Sequence, residues 1–149
     1  MQDQDPAAAR RNWMAVLARA PRESLEGHWN SVVDPPSFVL LKPPETGLVM
    51  VRARSGDTGA EFNLGEMTMT RCVVRSAEGA QGHAYIAGRA LRQAEIAARF
   101  DALLQIADRR EVLMARVIAP LAAAQEERRQ RRWNDAVGTR VDFLTVVRG

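Results

Sequence analysis

Over the first third of the chain, apolar residues recur at helical spacing and are interrupted by proline. Trp13, Met14, Val16, Leu17 and Ala20 trace one face of an amphipathic helix from Arg10 to Ala20. Residues Met1 to about Ala8 lack that pattern and are expected to form a flexible tail. Pro21 ends the first helix. Ser24 to Val33 predicts a second, short one with Leu25, Trp29, Val32 and Val33 turned inward. Asp34-Pro35-Pro36 stops it, because proline disfavours helical backbone in the residue before it. Phe38 to Lys42 then suits a first strand, closed by Pro43-Pro44.

The stretch from Glu45 to Arg75 organises the rest. The apolar run after Gly47 (Leu48, Val49, Met50, Val51, ending in Arg52-Ala53-Arg54) favours a strand by its β-branched content and short length. Its partner runs from Met67 to Arg75. Period-two alternation there puts Thr68, Thr70, Cys72 and Val74 on one face, and Met69, Arg71, Val73 and Arg75 on the other. Gly56, Gly59 and Gly65, with Asp57 and Thr58, fill the connection, where backbone at positive φ is needed. A second turn over Ala77–Gly82 leads into a strand from His83 to Ala87.

At Gly88 the period changes to that of a helix. Ile96, Phe100, Leu103 and Ala107 mark a long helix from about Ala90, with a bend expected near Asp108. Pro120 is expected to break the ladder, and Leu121 to Val137 to be helical again with Gly138 just past its end. Arg140 to Val147 alternates as a last strand. The pattern predicts one α+β domain over residues 1–149. Its antiparallel meander sheet of about four or five strands packs against a long helix and flanking helices.

Composition narrows the function classes. At 149 residues, 46% of them hydrophobic and 26% charged, the chain can bury a core and is not of the disordered type. Net charge is +3, and Lys42 is the lone lysine, so the cations are arginines. Arginine favours forked pairing with carboxylate or phosphate and is common at protein interfaces. The opening MQDQDPAAARRNW has no apolar signal-peptide core, and no run reaches the length of a membrane span, so a cytoplasmic location is expected. Cys72, the single cysteine, allows no intramolecular disulfide.

Candidate chemistry is sparse. The Ser55–Gly59 loop, with Arg54 or Arg71 nearby, is the kind of turn that cradles an anion, but it matches no phosphate-loop or dinucleotide fingerprint. Glu126 to Trp133, EERRQRRW, resembles a nucleic-acid patch. Its arginines spread around several faces of a helix and are interleaved with Glu126 and Glu127, which favours a solvated or partner-facing helix. His28, His83 and Cys72 share no metal-ligand spacing, so each is expected to be structural, Cys72 as a small core residue. Glu95 and Asp101, six apart on the long helix, do not face one another as a catalytic pair would. Trp13, Trp29 and Trp133 are expected to be core or interface anchors.

One set of residues is more specific. Glu45-Thr46-Gly47-Leu48-Val49, then Arg54, Gly56, Thr58-Gly59, Phe62, Gly65 and Thr68-x-Thr70-Arg71, resembles the G subunit of the bacterial carbon–phosphorus lyase core complex, the PhnG family. Arg11-Asn12-Trp13-Met14 with Leu17-Ala18, Ile118-Ala119-Pro120-Leu121, and the ending Val141-Asp142-Phe143-Leu144-Thr145-Val146-Val147-Arg148-Gly149 agree in order. Three positions depart from the family's habit. Ala90 follows Gly88-Arg89 where aspartate is usual, Asp57 replaces a glycine, and Leu144 replaces a phenylalanine. No role of the family aspartate therefore carries over to Ala90.

The resemblance implies a subunit that assembles with the H, I and J subunits and works functionally with the L subunit. The assembly transfers ribose 5-triphosphate from ATP to an alkylphosphonate with release of adenine. ATP is thus a substrate of the complex. The iron–sulfur cluster and S-adenosylmethionine belong to the J subunit, and no cofactor is expected in this one. The G subunit is implied to be accessory rather than catalytic and inactive alone. The sheet edge and arginine-rich elements would form its permanent interface. The competing expectation is that Arg54, Arg71 or Arg89 reaches the ATP/phosphonate site. A small basic nucleic-acid-binding module is the third.

Overall fold

The computed structural model describes residues 5–139 and is α+β, five helices and a π turn against one three-stranded antiparallel sheet. Helix α1 (Pro6–Arg19) starts inside the expected tail. Pro6 takes a position where its missing N–H costs nothing, and the Asp5 side chain accepts from the Ala7 amide at 3.0 Å. Helix α2 (Arg22–Asn30) buries Leu25 and half-buries Trp29. Val33 lies beyond its end and is 80% exposed, against the inward place expected for it.

The main departure is in the sheet. Phe38–Lys42 and Gly47–Arg54, expected as separate strands, form one strand, β1 (Phe38–Arg54), with Pro43 and Pro44 inside it. β1 pairs only with β2 (Glu61–Ser76), so it is an outer strand on which a missing N–H breaks few bonds. Register shifts at Leu40/Lys42 and Lys42/Glu45 absorb the prolines as bulges. With β3 (Gln81–Ala87) the sheet has three strands among the described residues, fewer than expected. The last expected strand, Arg140–Val147, lies outside them. Gly65, expected in the connection, sits within β2 opposite Val51, which leaves Ser55–Ala60 as the turn.

Alternation in β2 and β3 sends Thr70, Cys72, Val74 and Ser76, with Gly82, Ala84 and Ile86, to one face. Helix α3 (Leu91–Leu104) covers that face with Ala94, Ile96, Ala97, Ala98, Phe100, Leu103 and Leu104 buried. The approach is close because β3 begins with small residues. A Cβ at Gly82 would overlap the Ala98 carbonyl oxygen and the Ala102 backbone nitrogen. Trp29 packs edge-on against Phe38 and Phe100, at centroid distances of 5.8 and 5.3 Å, and closes one end of the core.

One fully buried carboxylate holds the three layers together. Asp101 on α3 accepts from Arg10 Nη2 (2.7 Å) and Trp13 Nε1 (2.8 Å) on α1, and from the His83 amide (2.9 Å) on β3. A buried charge is tolerable only when paired and hydrogen-bonded, and here both conditions hold.

Helix α3 stops at Gln105–Ile106, slightly before the bend expected near Asp108, and Ala107 is exposed rather than part of the stripe. Arg110 caps the break, Nε to the Leu104 carbonyl (2.7 Å) and Nη2 to that of Gln105 (3.1 Å). Helix α4 (Ala107–Leu113) runs through a π turn (Met114–Ile118) directly into α5 (Ala119–Gly138). The wider turn spares the chain the bond that Pro120 cannot donate, so proline does not break the ladder as expected. Gly138 is still helical and Thr139 is the cap. Its hydroxyl donates to the Asp135 (3.1 Å) and Ala136 (3.0 Å) carbonyls.

Replacing Asp101 by alanine leaves Trp13 Nε1 without an acceptor in the core and takes the shared partner from Arg10 and the His83 amide at its half-buried edge. Urea unfolding of Asp101→Ala is expected to show a loss of about 3–5 kcal/mol. Breaking the exposed Arg22–Glu26 pair by Arg22→Ala should cost less than about 1 kcal/mol. Comparable losses for both would mean the buried network does not hold the layers.

Candidate functional site

β3 ends where Ala87 meets Met69, but β1 and β2 continue without it until Arg54 faces Glu61. Beyond Gly47 the sheet is therefore a two-stranded ribbon with bare backbone on both edges. Leu48 (67% exposed) and Met50 lie on the face that α3 covers further back, whereas Val49 and Phe62 lie on the opposite one. Leu64 (66% exposed) is the extra residue of the bulge between Val51 and Arg52. An isolated two-stranded ribbon is marginal in water, and large apolar side chains exposed on both of its faces mark an interaction site.

The arginines singled out from the sequence are placed separately. Arg54 sits at the ribbon tip, paired with Glu61 at 3.0 Å, beside Arg52 at 3.8 Å from the same carboxylate. Arg71 lies on the outer sheet face, where its Nε donates to Glu45 at 2.6 Å. That hydrogen bond is the main reason the Glu45 carboxyl is held below its usual range. Arg54 lies nine positions beyond Glu45 along β1, roughly 30 Å of extended chain, so Arg54 and Arg71 form no common clamp within one chain. The Ser55–Gly59 turn has its own steric logic. A Cβ at Gly59 would overlap the Ser55 carbonyl oxygen.

Arg89 stands at the corner between β3 and α3. Gly88 takes φ +86°, and Thr70 on β2 holds the corner. The Thr70 hydroxyl donates to the Gly88 carbonyl (2.6 Å) and accepts from the Ala90 amide (3.0 Å). Arg89 has no ion-pair partner among the described residues. It lines a shallow depression with Arg22 and Arg92, which are tied to Glu26 and Glu95. Arg92 is close to Arg89 along the chain, whereas only the packing of α2 beside α3 brings Arg22 to them.

The remaining candidates resolve by burial. Cys72 is in the core, and burial pushes its thiol up to about 11. His83 is half-buried, with its backbone on Asp101, and His28 lies at the end of α2. Among the described residues, no three His, Cys, Asp or Glu side chains gather to hold a metal ion. No helix among them is long and apolar enough to cross a membrane. Trp13 is buried and Trp29 half-buried, but Trp133 is exposed.

Fold and surface thus define a small α+β protein whose notable features are a bare ribbon and arginine-lined depressions. The sequence matches the family model of phosphonate metabolism protein PhnG over residues 8–149. It is also 43% identical over 150 residues to a protein of Rhizobium meliloti (strain 1021), covering 99% of this chain and 94% of that one. That relative is named alpha-D-ribose 1-methylphosphonate 5-triphosphate synthase subunit PhnG. The chain belongs to the PhnG family.

Burial of Cys72 has a measurable consequence. Its folded pKa lies above the ordinary thiol value of 9.0, so the neutral thiol contributes stability below about 9 that is lost as pH rises through about 11. Iodoacetamide at pH 8 should label the unfolded chain readily and the native chain at least about tenfold more slowly. Equal rates would show the thiol to be accessible.

Proposed function

We propose that this chain is an accessory, non-catalytic subunit of the phosphonate-degrading carbon–phosphorus lyase core complex. It assembles with the H, I and J subunits and functions with the L subunit. In the reaction it supports, the bond between adenine and the ribose C1′ of ATP breaks. A phosphonate oxygen bonds to C1′, and the phosphonate proton leaves with adenine. ATP is the substrate, this subunit holds no cofactor, and the iron–sulfur cluster and S-adenosylmethionine reside in the J subunit. The chain acts in the cytoplasm and is inactive alone.

The observation that carries this reading is the ribbon. Leu48, Met50, Phe62 and Leu64 expose apolar side chains on a ladder with two unpaired edges, a costly surface to leave in water and a suitable one to bury in a permanent interface. The synthase-subunit name of the Rhizobium meliloti relative agrees with it. A second reading rests on Arg89, whose guanidinium beside Arg22 and Arg92 suits the phosphate oxygens of ATP.

Co-expression with the other subunits tests both. Leu48→Asp and Phe62→Asp should each release the chain from the assembly, weakening binding at least about a hundredfold, without shifting the melting temperature of the isolated chain by more than a few degrees. Arg54→Ala, Arg71→Ala and Arg89→Ala should leave nucleotide affinity of the assembled complex unchanged. A complex that forms normally with Arg89→Ala but no longer binds ATP would transfer the role to the second reading. An assembly indifferent to both ribbon substitutions would end the first.

A further inference from the structure

A second extension of the body is made by α5. Leu121 is its buried residue, and Gln125 Nε2 donates to the Val16 carbonyl on α1 at 2.8 Å. From Arg129 to Thr139 every residue is exposed, and Trp133 is 67% exposed. Isolated helices of this length are marginal in water, so this one draws on ion pairs along its own surface. Arg129 is held by Glu126 at 2.9 Å and Arg131 approaches Glu127 at 3.7 Å.

Between this extension and the end of α1 lies a depression lined by Arg19, Arg128, Arg129 and Arg132, with Glu126 as its one carboxylate. Arg19 and Arg132 turn their Nε atoms back to helix carbonyls, those of Ala15 and Arg128. Arg19, Arg128 and Arg132 have no carboxylate partner among the described residues. Arg128 and Arg132 are one turn apart on the same helix face, about 6 Å between their stems. Trp133 is not in this lining but borders it, in an adjoining depression that shares Arg129 and Arg132.

We infer that this groove docks an acidic segment of a neighbouring subunit, with two or three carboxylates on Arg19, Arg128 and Arg132 and an apolar side chain over Trp133. The inference rests on the subunit reading above and uses a surface apart from the ribbon. Charge complementarity selects the occupant, because four guanidinium groups face one carboxylate there. The arginine fork matches carboxylate geometry, and an exposed tryptophan among arginines is the composition of an interface anchor. The helical part of the cluster, Arg128 to Trp133, spans less than about two turns, and Glu126 stands just ahead of it. The cluster is too short to follow a phosphate backbone, which nucleic-acid binders contact repeatedly.

The test measures binding of the full chain to the remaining synthase subunits at low and high salt (about 50 and about 500 mM NaCl). Arg128→Glu combined with Arg132→Glu should weaken binding at least about tenfold at low salt and flatten its salt dependence. Trp133→Ala should weaken it at both salts, and exposed Arg11→Glu should bind as wild type. Circular dichroism should show the fold retained in each, since these side chains lie on the surface. If the double reversal binds as wild type while Leu48→Asp does not, the groove inference falls and the subunit reading stands. If the wild-type chain binds no other subunit, both fall. Tighter binding of the chain to short oligo-dT than to oligoglutamate at physiological salt overturns the inference in favour of nucleic acid.

Discussion

The body of this protein depends on the carboxylate of Asp101. It is fully buried, and it accepts from a guanidinium and an indole on α1 and a backbone amide on β3. Hydrophobic contact alone would let α1 slide over α3, because apolar burial has no direction. A charged acceptor with fixed donors has direction, and leaving any donor unpaired in that interior is expensive. The carboxylate therefore sets the register of α1, α3 and β3 together. Thr70 does the same on a smaller scale at the β3–α3 corner, bonding the backbone on both sides of Arg89.

With the body satisfied in this way, what it leaves unsatisfied is informative. Two parts extend past the core, the ribbon of β1 and β2 and the second half of α5, and each has apolar surface that nothing among the described residues covers. The nearer part of β1 is guarded differently. Pro43, Pro44 and two bulges interrupt its outer edge, which discourages another strand from pairing there. The protection stops where the ribbon begins. A protein that spends prolines on one half of an edge and leaves leucines on the other has a reason to keep the second half open. Membership in a family whose Rhizobium meliloti relative is a synthase subunit supplies that reason as our reading.

Much of the fold was legible in the residues. The 3.6-residue stripe of Ile96, Phe100 and Leu103 and the two-residue alternation of Thr70, Cys72 and Val74 proved to be the two sides of the core. Misreadings cluster at proline. Pro43-Pro44 was expected to end a strand and Pro120 a helix, because proline removes a donor. The chain continues through both, since an outer strand and a π turn each have a place where no donor is required. In the linear sequence Asp101 invites comparison only with Glu95, on the same helix. The available signal was its position among Ala97, Ala98 and Ala102, where a lone acid on an apolar helix face demands partners.

By itself the sequence determined the element types, the α+β class and the family, because these follow from local periodicity and from residues read in order. The tertiary structure alone decided which groups meet. Arg10 and Trp13 stand 91 and 88 positions from Asp101, and Arg19 still further from Arg128. It also decided that Arg54, Arg71 and Arg89 do not share one site and that the ribbon outruns its third strand. Contacts between distant residues depend on how whole elements pack, and no local pattern of apolar and polar positions encodes that packing.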